Sequence, residues 1–447
     1  MDTMSLKSGS ELGRTIGWRT GAAVTIANMI GTGIFTTSGF IARDTGSPWI
    51  LLALWVIGGL IALAGALAYA ELGAAMPEAG GEYIFLRGAY GPVVAYLSGW
   101  TSFFAGFGGA IAAALLAFAG YISSLFPALG ELDARLLAIT TLWMLTAVHL
   151  GGLRLSGKLQ TVLAAVTMMM MVALIISGFA IGHGTVAHFR SSAAPQGSMA
   201  VSLIFVLYAY SGWNAAAYLA GEIVEPEHGL PRALIVGTVC VGGLYVALNV
   251  LYLWALPISE MSGVMAIAER AAVSMFGQRG SRIVTALIAL AILSSASAMV
   301  VAGPRVYFAM AHDCVFPWAF AIARNRSGPT AAVLLQSAWA SFLILAFAVF
   351  ERIVVYSGVA ITIFSAATVA AVIVIRMQRP RAVRPFIMPG YPCAVLAYLA
   401  ICAWIVTSAA LTRWAETILG LATVLGGLQI YWLLSPGAKE RVPRVQI

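Results

Sequence analysis

The sequence predicts an all-α integral membrane protein with twelve transmembrane helices, the first ten of which form two inverted five-helix repeats. Composition is the first reason, because 61% of the 447 residues are apolar and only 9% are charged, whereas soluble domains carry about 25% charged residues. The second is that twelve stretches of at least 18 residues contain no Asp, Glu, Lys or Arg, and about 20 mostly apolar residues make one spanning helix. The third is that glycine-containing segments interrupt the first and the sixth stretch.

Eleven of the charge-free stretches each accommodate one helix. In chain order the twelve are 20–42, 45–70, 88–130, 136–153, 159–189, 191–221, 233–259, 283–304, 327–350, 353–375, 385–412 and 417–438. The third is long enough for two helices, but Pro127 and Gly130 favour one long helix followed by an outer segment. Two helices there would also place the four arginines of segment 376–384 outside, against the positive-inside rule.

The basic residues predict the orientation in the membrane. With the N-terminus inside, 17 of the 25 Lys and Arg residues fall on the cytoplasmic side, and this bias predicts that both termini are cytoplasmic. Residues Met1–Arg19 lack the short apolar core and cleavage site of a signal peptide. We therefore expect a multi-pass protein of the cytoplasmic (inner) membrane, in contact with the lipid bilayer.

The predicted helices divide the chain into repeats and flanking segments. These are a cytoplasmic N-terminal tail (1–14), a first five-helix repeat (15–182), a second five-helix repeat (196–376), two peripheral helices (385–434) and a cytoplasmic C-terminal tail (435–447). Because five is odd, the second repeat enters the membrane from the opposite side. This inverted topology is typical of transporters whose substrate binds near the bilayer midplane, between the repeats.

Several other functions are excluded by residue type and spacing. The net charge of +8 does not indicate nucleic-acid binding, because the basic residues lie in loops between apolar stretches and form no basic face. The four cysteines have no metal or redox spacing, and the histidines have no zinc-ligand partners at short spacing. No cluster of acids, histidines or an activated nucleophile is present in the sequence. We therefore expect neither an enzyme nor a metal or cofactor site.

The first interruption is Gly31-Thr32-Gly33. Unwinding there frees backbone amides, and the following half-helix, expected to begin at Ile34, directs the positive end of its dipole to the same place. Such a position binds a carboxylate or phosphate without a charged side chain. A lone Gly-x-Gly is also typical of close helix packing in membranes, which is the alternative interpretation.

The second interruption is Tyr210-Ser211-Gly212-Trp213, in the corresponding position of the second repeat. Irregular backbone at membrane depth survives only where it lines a cavity or is buried in protein, and paired breaks indicate a transporter's substrate site. Carbonyls exposed near Tyr208 can accept hydrogen bonds from an ammonium group, so the two breaks together match the two ends of an α-amino acid. Ordinary aromatic packing remains the alternative for Tyr208 and Trp213 taken singly.

Five motifs make the chain resemble the amino acid–polyamine–organocation (APC) superfamily, and within it the bacterial relatives of the L-type amino acid transporters. They are Ile26–Phe35, Gly80–Trp100, Tyr208–Arg232, Gly303–Pro317 and Arg384–Pro392. The resemblance runs from about residue 15 to 435 with the motifs in family order. It implies the LeuT-like 5+5 inverted-repeat fold, with the α-groups of a small-molecule amino acid bound between the two unwound helices.

The resemblance also implies roles for individual residues. Those implied to bind substrate are Met29, Thr32, Gly33, Tyr208, Ser211, Trp213, Asn214 and Tyr245. Thr32 and Gly33 would hold the carboxylate, and the carbonyls of both breaks would face the ammonium group. Tyr208 falls where the family often has an aromatic gate, and Tyr245 matches a seventh-helix tyrosine that reaches the site in L-type relatives.

Three further residues bear on ion coupling. Many family members have a lysine where Arg154 falls and an arginine where Lys158 falls, and that lysine resembles a built-in cation in the place of a sodium ion. Ser295, or its neighbours Ser294 and Ser297, matches the facing hydroxyl. Arginine effectively never loses its proton, so Arg154 in this position disfavours proton coupling, and its charge disfavours sodium. The alternative is that Arg154 and Lys158 are cytoplasmic loop residues whose charges serve only to orient the protein in the membrane.

A neutral L-amino acid is the favoured substrate, because the two breaks contain no charged residue and an unpaired ion in a dry site is costly. We expect alternating access, with exchange favoured over proton symport. The alternatives are an amine or polyamine transporter, and an amino acid sensor that keeps the fold without turnover. L-type relatives in animals pair through a cysteine in an outer loop; no cysteine falls in a predicted outer loop here, so no disulfide-linked subunit is expected.

Overall fold

The computed structural model describes residue 14 and residues 16–78, 80–126, 128, 130–150, 153–312, 330–347 and 349–434, without the side chains of some helical residues, among them 153–161. Regular structure in these ranges is helical, apart from one parallel bridge between Ile16 and Ile223. The protein is therefore all-α in the part that is described, as the sequence predicts.

The helices of the first predicted repeat follow the charge-free stretches. They are α1 Trp18–Met29, α2 Thr32–Thr45, α3 Pro48–Ala75, α4 Glu82–Tyr90, α5 Pro92–Thr101, a π-helical turn Ser102–Phe107, α6 Gly108–Leu125, α7 Glu131–Leu150 and α8 Leu153–Ile181. The long third stretch contains a single span, Pro92–Leu125. It is preceded by the short α4, from which Gly91 at φ +86° separates it.

The second predicted repeat and the peripheral helices follow in the same way. They are a 3₁₀ turn Val186–Arg190, α9 Met199–Tyr210, a 3₁₀ helix Ala215–Glu222, α10 Pro226–Ala255, α11 Ile258–Met261, α12 Ile267–His312, α13 Thr330–Phe347, α14 Phe350–Gln378, α15 Cys393–Thr412 and α16 Trp414–Leu434. Gly277, at φ +69°, bends α12 near its start.

The number of spanning helices depends on how the first two helices are counted. In the described ranges nine helices are long and apolar enough to cross a membrane, and the bent pair of α1 and α2 makes a tenth. The other two charge-free stretches contain α7 and α8, and the described apolar part of α8 covers only Ala165–Ile181. The total of twelve spans stays a prediction.

The broken helices lie at the centre of the molecule. α2 packs against α9, α1 packs against α10, and α10 in turn packs along α3. Buried aromatic side chains such as Phe35, Trp55 and Tyr245 fill the space between them. Large apolar side chains point outward on the peripheral helices, as at Leu411 and Leu433. This distribution suits a protein surrounded by lipid, in which the polar groups face inward.

Two groups of ion pairs lie at opposite ends of the helix bundle. The outer ion cluster, named for the predicted orientation, consists of Arg43, Asp44, Glu351 and Arg413, in which both arginines pair with Glu351. The inner ion cluster consists of Glu71, Arg376 and Arg384, and Arg376 holds Glu71 through two hydrogen bonds of 2.8 and 2.6 Å. Glu351 lies in the first turn of α14 and Arg376 in its last turn, so this helix contributes one residue to each ion cluster.

Candidate functional site

The first break separates α1 from α2. α1 ends at Met29, α2 begins at Thr32, and their axes are bent by 44°. Gly31 caps α2 with an extended backbone and no side-chain hydrogen bond. The first amides of a helix have no partner within it, and the helix dipole adds partial positive charge there. α2 begins two residues before Ile34, where the sequence predicted the half-helix to start, so Thr32 and Gly33 form its first turn.

The second break separates α9 from the helix that follows. α9 ends at Tyr210, and regular structure resumes at Ala215 as a 3₁₀ helix. Between them Gly212 has φ +96°, a conformation that residues with a side chain rarely adopt. The regular bonding of the helix stops here: the Tyr208 carbonyl accepts from the Ser211 amide at 3.1 Å in a tighter turn, and the Ala209 carbonyl accepts from the Tyr245 hydroxyl at 3.1 Å.

The two breaks interlock through their glycines. A Cβ atom on Gly33 would lie 2.3 Å from the Cα of Ala209, and one on Gly212 would lie 2.6 Å from the carbonyl oxygen of Asn28. Each glycine thus lies against the backbone of the opposite broken helix. This explains why glycine occupies both breaks, and it brings free amides of α2 next to the carbonyls that end α9.

A cavity of about 730 Å³ adjoins both breaks. Six of the eight predicted substrate-binding residues line it: Met29, Thr32, Gly33, Tyr208, Ser211 and Asn214. The Thr32 hydroxyl is buried and has no hydrogen-bond partner among the described residues, while the Tyr208 hydroxyl lies close to it, outside hydrogen-bond geometry. A buried hydroxyl without a partner is costly, and a polar group in the cavity would satisfy it only after the groups that cover it move.

The other two predicted residues, Tyr245 and Trp213, are not among the described residues that line the cavity. The Tyr245 hydroxyl donates to the carbonyl oxygens of Met29 at 2.5 Å and Ala209 at 3.1 Å. Tyr245 therefore joins the two breaks through their backbone carbonyls, without itself lining the cavity. Trp213 packs edge-on against Tyr69, with ring centres 4.7 Å apart, and so supports the second break.

The coupling residues are described only in part. Ser295 lines the cavity, and its hydroxyl lies against the first break, because a Cβ on Gly31 would be 2.4 Å from it. The side chains of Arg154 and Lys158 lie outside the described residues. Ser294 and Ser297 are buried in α12, and the Ser297 hydroxyl is hydrogen-bonded to His149 at 2.9 Å.

The cavity opens towards the predicted cytoplasmic side. Ile16 and Thr20 from the start of the chain and Glu222 from the end of the 3₁₀ helix line that part of it. On the opposite side, Tyr208 meets Phe350 edge-on at 5.9 Å, and Phe350 stacks on Phe40 at 6.1 Å.

The outer ion cluster lies next to this aromatic layer, because Arg43 covers Phe40 and Glu351 follows Phe350 in the chain. Among the described residues, the cavity is thus closed on the predicted outer side and open on the predicted cytoplasmic side.

Sequence reasoning missed one charged residue of the cavity. Glu82 lines it, although it falls between the second and third charge-free stretches and the sequence analysis gave it no role. The residue belongs to the Gly80–Trp100 motif, so the motif was the available signal. Among the described residues no group of three or more His, Cys, Asp or Glu could hold a metal ion.

Comparison with known proteins identifies the relatives of the chain. A family model described as "Amino acid permease" matches residues 16–427. Large neutral amino acids transporter small subunit 2 of Homo sapiens is 28% identical over 440 residues, which cover 95% of this chain and 81% of that protein. b(0,+)-type amino acid transporter 1 of Mus musculus is 28% identical over 437 residues, covering 95% of this chain and 88% of its own.

A bacterial relative matches over nearly its full length. The serine/threonine exchanger SteT of Bacillus subtilis is 27% identical over 435 residues, which cover 96% of this chain and 98% of that protein. The matched family and these relatives are membrane transporters and not enzymes.

Proposed function

The chain belongs to the amino acid permease family, and we propose that it is a secondary transporter of neutral L-amino acids that works by alternating access. The observation that carries this proposal is the meeting of two broken helices at one cavity, which six of the predicted residues line. Amides at the start of α2 suit the substrate carboxylate. Carbonyls at the end of α9 suit the ammonium group, as in transporters with discontinuous helices.

A neutral side chain is supported by the residues at the two breaks. Residues 29–33 and 208–214 contain no Asp, Glu, Lys or Arg. The names of two relatives, a large neutral amino acids transporter and a serine/threonine exchanger, agree with this substrate class. The wall of π-helical turn and α12 residues, including Phe107 and Met299, would contact the substrate side chain.

Alternating access is supported by the one-sided opening of the cavity. The repeats 15–182 and 196–376 each begin with an interrupted helix, so movement of α1 and α2 with α9 and the 3₁₀ helix would expose the same site to either side. The peripheral helices, 385–434, would stay outside this movement. In the proposed topology both termini are in the cytoplasm, the protein lies in the cytoplasmic membrane, and no disulfide-linked subunit is needed.

Exchange is our proposal for the energetics, with proton symport as the second choice. A bacterial relative, which this chain matches over almost its full length, is named an exchanger. Arg154, if it stands opposite Ser295, would keep its charge through the cycle, because arginine is not deprotonated in proteins. A permanent charge leaves no proton to move and repels sodium.

Uptake of a panel of labelled amino acids into proteoliposomes tests the proposal. We expect uptake of neutral amino acids when unlabelled amino acid is trapped inside, and little uptake into empty vesicles. Uptake into empty vesicles that follows an inward proton gradient would replace exchange by symport.

The same panel separates the alternative functions. Uptake of amines or polyamines in place of amino acids would identify an amine transporter. Saturable binding without uptake under either condition would identify a sensor that has the transporter fold.

A further inference from the structure

Glu82 is a carboxylate inside the cavity that has no role in the site described so far. It begins α4, and the turn at Gly91 folds α4 back against α5. This brings Glu82 beside Ser98, whose hydroxyl donates to its Oε1 atom at 3.3 Å. The residue is half-buried and is one of those that line the cavity.

The groups that face Glu82 are neutral. The Tyr69 hydroxyl of α3 donates to its Oε2 atom at 2.8 Å, and Ser102 of the π-helical turn and Tyr218 of the 3₁₀ helix face it as well. In the described part of the chain no Lys, Arg or His forms an ion pair with it. Glu222, the other charged residue among the described cavity-lining residues, is also acidic.

A cation in the cavity would stabilise the ionised form of Glu82. Burial raises the pKa of Glu82, because an ionised carboxyl group is costly away from bulk water unless it is paired. The two hydroxyl donors favour the ionised form but supply no charge. A positively charged group that enters the cavity would therefore gain more from Glu82 than from any neutral wall residue.

Glu82 is also connected to the second break. Its partner Tyr69 packs edge-on against Trp213, which directly follows Gly212. On the other side, the Asn214 amide donates to the Tyr218 hydroxyl at 3.4 Å. A charge bound at Glu82 would thus lie in the same cavity as the predicted α-group site and contact the support of the second break.

We propose that Glu82 is the counter-charge for the distal ammonium or guanidinium group of a cationic amino acid, so that the cavity accepts such substrates beside neutral ones. This inference rests on the proposed function, because it assumes that the two breaks hold the α-groups. Neutral substrates leave Glu82 bonded to its two hydroxyl partners. Cationic substrates pair with it.

The test is competition by L-lysine against exchange of the best neutral substrate of the panel, in proteoliposomes. In the wild-type protein L-lysine inhibits this exchange. In Glu82→Gln the L-lysine concentration needed for half inhibition rises about 30-fold or more, as expected when one partner of a buried charge pair is removed. The concentration for half inhibition is compared with the KM of the neutral substrate measured in the same variant, so that a general change in binding is separated from a loss specific to L-lysine.

Glu78→Gln is the matched control. Glu78 lies four residues earlier in the same segment, is largely exposed and pairs with Arg87. We expect wild-type inhibition by L-lysine in this variant.

Glu82→Asp keeps the charge if Glu82→Gln does not fold. It retains inhibition by L-lysine, and in both this variant and the wild type that inhibition weakens as the pH falls, because protonation removes the counter-charge.

Three results would overturn the inference. L-lysine that fails to inhibit wild-type exchange, or inhibits Glu82→Gln equally well, would show that Glu82 does not bind the cation. A stable Glu82→Gln protein that loses neutral exchange as well would make Glu82 a positioning residue. Failure of the proposed function is distinct, since the wild type would then exchange no amino acid.

Discussion

Gly33 is the residue at which the contact between the breaks is tightest. Its α-hydrogen faces the backbone of Ala209, and backbone atoms cannot move aside as a flexible side chain would. We predict that Gly33→Ala separates α2 from α9, destabilises the protein by about 1–3 kcal/mol and lowers the exchange rate about tenfold. Thermal unfolding in detergent and exchange in proteoliposomes measure the two effects.

Gly243→Ala is the control for this substitution. A Cβ at Gly243 on α10 would meet no atom within 4 Å, so stability and exchange should match the wild type. Wild-type exchange by Gly33→Ala would contradict the close approach of the two broken helices.

Tyr245 acts, in this structure, on the backbone of both breaks. We predict that Tyr245→Phe leaves the carbonyls of Met29 and Ala209 without this donor, at a cost of about 1–3 kcal/mol. Because the hydroxyl lies behind the cavity, the KM values of all amino acids should rise by a similar factor. Exchange kinetics across the panel measure this.

Tyr356→Phe serves as the comparison, since it removes a hydroxyl–hydroxyl contact of 3.0 Å with Thr423 away from the breaks. It should leave the KM values unchanged. A change of preference among amino acids in Tyr245→Phe, in place of a uniform rise, would mean that the hydroxyl contacts the substrate side chain directly.

The sequence located the breaks but not the direction of every side chain near them. Gly31, Gly33 and Gly212 predicted where the helices stop, because unwound backbone at membrane depth is tolerated only where it lines a cavity or is buried in protein. Whether Trp213 and Tyr245 face the cavity or support it depends on rotation of the helices about their axes, which long-range packing decides. Their part in binding, like that of the six lining residues, stays a prediction.

Among the helices, α14 is the one that links the ends of the bundle, and its first turn joins the closed outer layer. We predict that Glu351→Gln weakens this layer, because Arg413 loses its ion-pair partner and Arg43 keeps only Asp44. The cost of about 1 kcal/mol or more would raise the population of outward-open protein about fivefold.

Labelling of a buried reporter cysteine measures this change. Val354→Cys, in a protein whose four cysteines are replaced by serine, lies one turn from Phe350 on the same face of α14 and is fully buried. An impermeant thiol reagent applied outside should label it about five times faster in Glu351→Gln. Glu260→Gln, which breaks an exposed ion pair with Arg270, should have no effect. Equal labelling rates of Val354→Cys with and without Glu351→Gln would show that the outer ion cluster does not stabilise the closed layer.

Helix boundaries followed the sequence where charge and glycine mark them. The single span in the third stretch was predicted from Pro127, Gly130 and the arginines of 376–384. The return of α4 along α5 was not, because Gly91 permits a turn in many directions and only packing against α3 and α14 selects this one. For that reason the sequence did not predict that Glu82 reaches the cavity.

For the molecule as a whole, the orientation in the membrane is open to a direct check. We predict that Gln278→Cys, just after the bend at Gly277 in α12, faces the outside and that Ala382→Cys, after α14, faces the cytoplasm. Both positions are exposed, so an impermeant maleimide should label the first in intact cells and the second only after the membrane is opened. The reverse pattern would invert the topology and the direction in which the cavity opens.

A structure determined with a bound neutral amino acid would test most directly whether the two breaks form the substrate site. We predict carboxylate oxygens about 3 Å from the amides of Thr32 and Gly33, with the ammonium group facing the carbonyls of Tyr208 and Ser211. An amino acid bound elsewhere in the cavity, or bound with its ammonium group against the start of α2, would contradict this assignment.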